Sequence, residues 1–165
     1  MLLATLAHAS AQGTLEFIAN LTPGQVVPPS GSTYSGSGSF QLEGTAWRYE
    51  LLFGFPSPNF ITTQIRGPAP MGSTGPVIFD LGEPSIAQPG PGDPGSLIYR
   101  GSFKLTQNQI TDLQSGLWYA EIYTAQFPNG DIRGQIAVVP EPSTIALLGI
   151  GGFILFARVK NSFGG

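Results

Sequence analysis

Ala46-Trp47-Arg48-Tyr49-Glu50-Leu51-Leu52-Phe53 is the stretch from which the fold can be read. Trp47, Tyr49, Leu51 and Phe53 occupy every second position, with Arg48, Glu50 and Leu52 between them. A period of two puts one set of side chains on each face of a strand, so the aromatic and aliphatic set is expected to face a core. It is the clearest alternation in the chain. Upstream, Leu15, Phe17, Ala19 and Leu21 alternate with Glu16, Ile18 and Asn20. Residues 38–43 resume extension after a Pro/Gly/Ser-rich loop over 22–37, where Pro28-Pro29 bars a central strand. Downstream, Ile61, Thr63 and Ile65 predict a strand between Pro58 and Gly67-Pro68. Shorter strands follow over 77–81 and 97–104, separated by a long Pro/Gly connection over 82–95.

Thr106-Gln107-Asn108-Gln109 has the form of a capping box, with Ile110 and Leu113 three apart and Gly116 placed to end a helix. The spacing predicts two helical turns over 107–115. Residues 117–124 and 132–138 then pair as a hairpin across Phe127-Pro128-Asn129-Gly130, Asn-Gly being a tight-turn signal because both residues tolerate positive φ. The pattern predicts an all-β chain: an antiparallel β-sandwich of about seven or eight strands with one short helix, plus a C-terminal hydrophobic helix.

Composition limits the function. The chain has 165 residues, 23 glycines, 15 prolines and no cysteine, so stability must come from burial and strand pairing rather than disulfides. Residues 12–139 carry nine Asp/Glu and five Lys/Arg, which disfavours nucleic acid as a partner. The one histidine, His8, precedes that region. With neither Cys nor His there, no Ser-His-Asp or Cys-His nucleophile and no zinc or copper site is expected, and no cofactor.

The two ends read as targeting segments. Residues 1–11 carry the apolar run Leu2-Leu3-Ala4-Thr5-Leu6-Ala7 and end in Ala9-Ser10-Ala11, a pattern for signal peptidase, with a true start expected upstream of Met1. At the other end, residues 145–157 hold no charge and no polar side chain, and Arg158 and Lys160 follow. Thirteen residues cover roughly 20 Å as a helix against about 30 Å of hydrocarbon, and Gly149, Gly151 and Gly152 weaken the helix. A temporary span fits better than a permanent anchor. Pro140-Glu141-Pro142, the apolar run and the basic end resemble the PEP-CTERM sorting signal, with a thinner basic cluster than is usual. That resemblance implies an exosortase-type processing enzyme as partner and an inner-membrane-inserted precursor. It also implies a mature form at the cell surface or in the extracellular matrix. The division expected is 1–11 leader, 12–139 β-domain and 140–165 sorting segment.

Within the domain, four stretches resemble the CHRD domain: Leu21 to Pro29 in sequence, Arg66-Gly67-Pro68-Ala69 with Gly75-Pro76-Val77, the helix region, and Trp118 to Thr124 leading through Asp131-Ile132-Arg133-Gly134. The resemblance covers about residues 13–137 and implies fold and location more than activity. Members commonly carry His-x-His before Gly-Pro-Ala and another His in the later strand; here Gln64, Arg66 and Tyr123 stand there. Amide, guanidinium and phenol cannot replace imidazole as metal ligands at neutral pH. Arg66, Arg133 and Tyr123 are expected to form a polar cluster, with Arg133 ordering the hairpin through carbonyls or a carboxylate.

Glu121 and Asp131 are the remaining catalytic candidates, as an acid/base pair across the hairpin. The alternative is exposed charge for solubility, or pairing with Arg133. Tyr119 and Tyr123, on the face opposite Trp118, are the candidates for stacking on sugar. The expectation is a non-enzymatic exported protein that adheres to extracellular glycan or surface proteins. A carboxylate-dependent glycan hydrolase and a degenerate metal-binding CHRD member are the alternatives.

Overall fold

The computed structural model describes residues 13–54, 60–82 and 96–140. The expected leader, the 83–95 connection, Glu141, Pro142 and the C-terminal apolar run lie outside the described residues. Among the described residues, no helix is long and apolar enough to cross a membrane.

Among the described residues, nine strands form two antiparallel sheets. β1 (Leu15–Leu21), β2 (Gly36–Glu43), β3 (Ala46–Gly54), β6 (Ser96–Lys104) and β9 (Ala137–Val138) make sheet A, in the order β6-β3-β2-β1-β9. β4 (Phe60–Arg66), β5 (Val77–Gly82), β7 (Tyr119–Thr124) and β8 (Ile132–Gln135) make sheet B, in the order β5-β4-β7-β8. The β-sandwich read from the alternation is therefore the fold, with one strand more than the upper expectation.

Trp47, Leu51 and Phe53 of β3 point inward and are buried, and Tyr49, on the same face, is half-buried. Trp47 stacks on Phe40 at 5.3 Å and meets Trp118 edge-on at 5.6 Å, so one indole bridges the two sheets. The helix α1 (Gln107–Gln114) has both halves of its capping box: Thr106 Oγ1 accepts from the Gln109 amide, and Gln109 Oε1 accepts from the Thr106 amide. It buries Ile110 and Leu113 against the core, and Gly116 follows at φ 69°.

Two expectations about the last hairpin need correction. First, 132–138 is not one strand. It breaks at Ile136, whose side chain is fully buried and whose amide donates to Trp118 O at 2.8 Å. The chain then changes sheets, and β9 pairs with β1 through Ile18–Ala137 and Phe17–Val138. Second, the hairpin across Phe127–Gly130 forms, but Asn129 does not take the positive φ that the Asn-Gly signal implied; Gly130 alone does, at 123°. Phe127 N donates to Thr124 O and Gly130 N to Phe127 O, each at 3.1 Å, giving two turns in succession. The side chains select this longer loop. Thr124 Oγ1 donates to Asp131 Oδ2 at 2.7 Å and accepts from Phe127 N at 3.2 Å.

The other edge of β8 is closed by Thr22, which exchanges two backbone hydrogen bonds with Arg133. Gly134 sits at this crossing, where a Cβ would lie 2.8 Å from Asn20 O. Any side chain here would push β8 off β1.

Candidate functional site

The outward face of sheet B should be solvated, yet Tyr119, Glu121 and Arg133 on it are at most 4% exposed. Two loops cover it. Over β8 lies the segment after β1: Gln25 Oε1 accepts from Gln135 N at 3.0 Å, and Ser30 Oγ donates to Asp131 O at 2.5 Å. Over β4 and β7 lies the segment after β4: Arg66 Nε donates to Gly75 O at 3.0 Å, and Gly75 N donates to Tyr119 Oη at 2.9 Å. Gly67 lies beneath this second cover at φ 149°, with its amide on Pro76 O, and Pro68 leads to Ala69, whose amide reaches Leu117 O.

Beneath the covers the polar side chains bind one another. Tyr123 Oη donates to Glu121 Oε2 at 2.5 Å and accepts from Arg66 Nη1 at 2.7 Å. Arg66 Nη1 also donates to Gln64 Oε1 at 3.1 Å, and Gln64 Nε2 to Asp80 Oδ2 at 3.2 Å. Gln64, Arg66 and Tyr123 thus do converge, as members of a guanidinium–phenol–carboxylate relay. Burial, and then the Glu121 carboxylate it serves, push the Tyr123 phenol well above its ordinary range, so it remains a donor.

Tyr123→Phe should therefore cost more than a surface change, because it strips a buried carboxylate of its donor. About 1–3 kcal/mol is expected. Urea midpoints of Tyr123→Phe, Glu121→Gln and the double variant should show coupling, the double being less destabilised than the sum.

Arg133 differs from expectation. Across the ladder it is the partner of Glu121, but it forms no ion pair among the described residues. Its guanidinium lies 3.5 Å over the Tyr119 ring, and Nη2 donates to Gln135 Oε1 at 3.4 Å. It orders the hairpin by stacking rather than through carbonyls. Gln135 in turn donates to Ala69 O at 3.0 Å and Gly116 O at 2.7 Å, tying the loop over β4 to the end of the helix.

The acid/base pair is corrected too. Register sets Glu121 against Arg133, not Asp131, and each carboxylate is taken up by its own hydroxyl, Tyr123 or Thr124. Glu121 at 4% and Asp131 at 1% exposure are not solubility charges either. Tyr119, fully buried under Arg133, is no sugar platform; Tyr123 is half-buried.

At the exposed rim, Asp80 accepts from the Thr62 hydroxyl at 2.6 Å, the Gly82 amide at 2.9 Å and Gln64. These bonds, that of Thr62 foremost, hold its carboxyl below the ordinary value of 3.8. A depressed folded value stabilises the fold above the ordinary pKa, and that contribution is lost as pH falls through the folded value. The urea midpoint of the wild type should drop more than that of Asp80→Asn between about pH 5 and about pH 2, by a small margin given the exposure.

A family model for the CHRD domain matches residues 17–136, and a model for the PEP-CTERM protein-sorting motif matches residues 138–160. The chain belongs to the CHRD-domain family. No curated protein and no solved structure matches it. The CHRD stretches that are scattered along the sequence meet at one place, the covered outer face of β7 and β8. The sorting-motif match begins at Val138 of β9, the last described strand: Val139 N donates to Glu16 O at 2.8 Å, and Pro140 follows. The motif makes this CHRD chain an exosortase-sorted protein, exported, processed at the membrane and bound for the cell surface.

Alternation alone could not reveal Gln25, Gln135 or Thr124 as members of the CHRD network. All three act across loop-to-strand contacts, and a period-two pattern is blind to what covers an outward face.

Proposed function

We propose that the processed protein is a non-enzymatic component of the envelope or extracellular matrix that adheres to extracellular polymer through its β-surfaces. One observation carries this reading: the reactive side chains of the motif site are engaged with each other inside the fold. Glu121 accepts from Tyr123, Asp131 from Thr124, and Arg133 rests on Tyr119. A general acid or base must reach a substrate proton within about 3 Å. Carboxylates buried to this degree beneath two loops are poorly placed for that, which speaks against the glycan-hydrolase reading.

A test is co-sedimentation of the exported protein with the washed matrix of the producing cells, with released reducing ends measured in the same tubes. Sedimentation without release supports adhesion. Release that disappears in Glu121→Gln would favour the hydrolase instead.

The degenerate-site reading has its own support. The scaffold brings the positions of Gln64, Arg66 and Tyr123 within hydrogen-bonding reach, as three imidazoles on one metal would require. Among the described residues, no group of three His, Cys, Asp or Glu is gathered for a metal. We propose that the frame was kept and its ligands exchanged for a relay. Stoichiometric zinc or copper in the purified protein would count against this.

A further inference from the structure

The outer face of sheet A is built differently from that of sheet B. Across β1, β2, β3 and β6, one row holds Ile18, Ser39, Glu50 and Arg100, flanked by a row with Ser37 and Leu52 and a row with Gln41 and Arg48. β2 carries only serines at 37 and 39, between strands that carry long side chains. The result is a trough along β2. Three depressions of about 500, 420 and 310 Å³ lie along it. The first two share Ser37 and Leu52, and the last two share Ser39 and Glu50. From Ser35 to Gln41 the chain covers on the order of 20 Å.

The lining is mixed in a particular way. Ile18 and Leu52, 57% and 41% exposed, offer apolar flanks on opposite sides. Two ion pairs lie in the face, Arg100 Nε to Glu50 at 2.6 Å and Arg48 Nη1 to Glu43 at 3.2 Å, and the neutral Gln41 Nε2 donates to Glu16 at 3.1 Å. Among the described residues, the hydroxyls of Ser37 and Ser39 have no side-chain hydrogen-bond partner.

We propose that this trough binds one extended, uncharged glycan chain, an inference that rests on the adhesive reading above. Sugar hydroxyls both donate and accept, which suits free serine hydroxyls beside planar amide, carboxylate and guanidinium edges already held in place. The C–H faces of the rings suit Ile18 and Leu52. Two arginines and two glutamates line the trough, so it offers no net attraction to a polyanion. An extended peptide is disfavoured because it binds a sheet through free main-chain groups, and β2 is paired on both sides, by β1 and β3.

The test fills the trough without touching the core. Ser37 and Ser39 are exposed and point outward, so Ser37→Ile with Ser39→Ile should leave the fold intact, as an unchanged urea midpoint would verify. The exopolysaccharide of the producing cells is split by anion exchange into uncharged and acidic fractions, and binding is measured by affinity electrophoresis. The wild type should be retarded by the uncharged fraction, at least tenfold more weakly in the filled variant, with Met71→Ala, a change at an exposed position away from the trough, behaving as wild type. If the wild type fails to bind whole matrix, the adhesive reading itself falls. If it binds and the filled variant binds equally, only the trough is wrong. Retardation by the acidic fraction alone, or matrix binding that survives removal of all glycan, overturns the uncharged-glycan assignment.

Discussion

Trp47→Ala is expected to lower the unfolding free energy by about 3–5 kcal/mol, a large share of the roughly 5–15 kcal/mol of a small domain. The indole is fully buried and lies within 5.3–6.4 Å of the rings of Phe40, Tyr49, Phe79, Phe103 and Trp118, so its loss opens a cavity between both sheets. Its Nε1–H is buried without a hydrogen-bond partner among the described residues. Trp47→Phe should therefore cost much less, about 1 kcal/mol, since it keeps a stacked ring and removes an unsatisfied donor. Urea midpoints of the processed protein at neutral pH separate the two. Equal losses in both variants would show that the indole is not the keystone of the core.

Gly67→Ala should be the most damaging glycine-to-alanine change among the described residues. Gly67 has φ 149°, and a Cβ there would sit 2.6 Å from Leu117 O and 2.9 Å from Trp118 Cδ1. Backbone strain of about 1–3 kcal/mol adds to overpacking of about 1–3 kcal/mol, so a loss of about 2–6 kcal/mol is expected. The effect should spread, because Gly67 starts the loop that covers Arg66 and Tyr119. Gly24→Ala is the control: nothing lies within 4 Å of its Cβ position, and a change within about 0.5 kcal/mol is expected. Comparable midpoints for the two alanine variants would contradict the packing described at the motif.

How far the sequence could be read varies from segment to segment. β1, β2, β3 and the helix were legible because each has one buried face, and a buried face writes its period into the chain. The Thr106–Gln109 capping box was legible because it is purely local. The end of the last hairpin was not. A break at Ile136 and a move to the other sheet depend on β1 offering a free edge at Phe17 and Ile18, which no local pattern encodes. The wider turn at residues 124–131 likewise depends on Thr124 finding Asp131, seven residues away.

The site shows the same division. Gln64, Arg66 and Tyr123 could be singled out by their place in the family motif, and they meet. That Glu121, Asp131 and Arg133 are buried could not be read, because the loops that bury them come from residues 22–30 and 67–76. Charged residues alternating along a strand look solvated until something is laid over them. The CHRD motif is thus mainly a seal between two loops and one hairpin. The face left free of it, on sheet A, is where a ligand has room.

Adhesion without turnover is most directly tested by size-exclusion chromatography of the exported protein mixed with the matrix polysaccharide, with protein and polymer detected separately. The protein should co-elute with the polymer, and the polymer should keep its elution position after prolonged incubation. Protein eluting alone, or a polymer peak that moves to smaller size with wild type but not with Glu121→Gln, would contradict it.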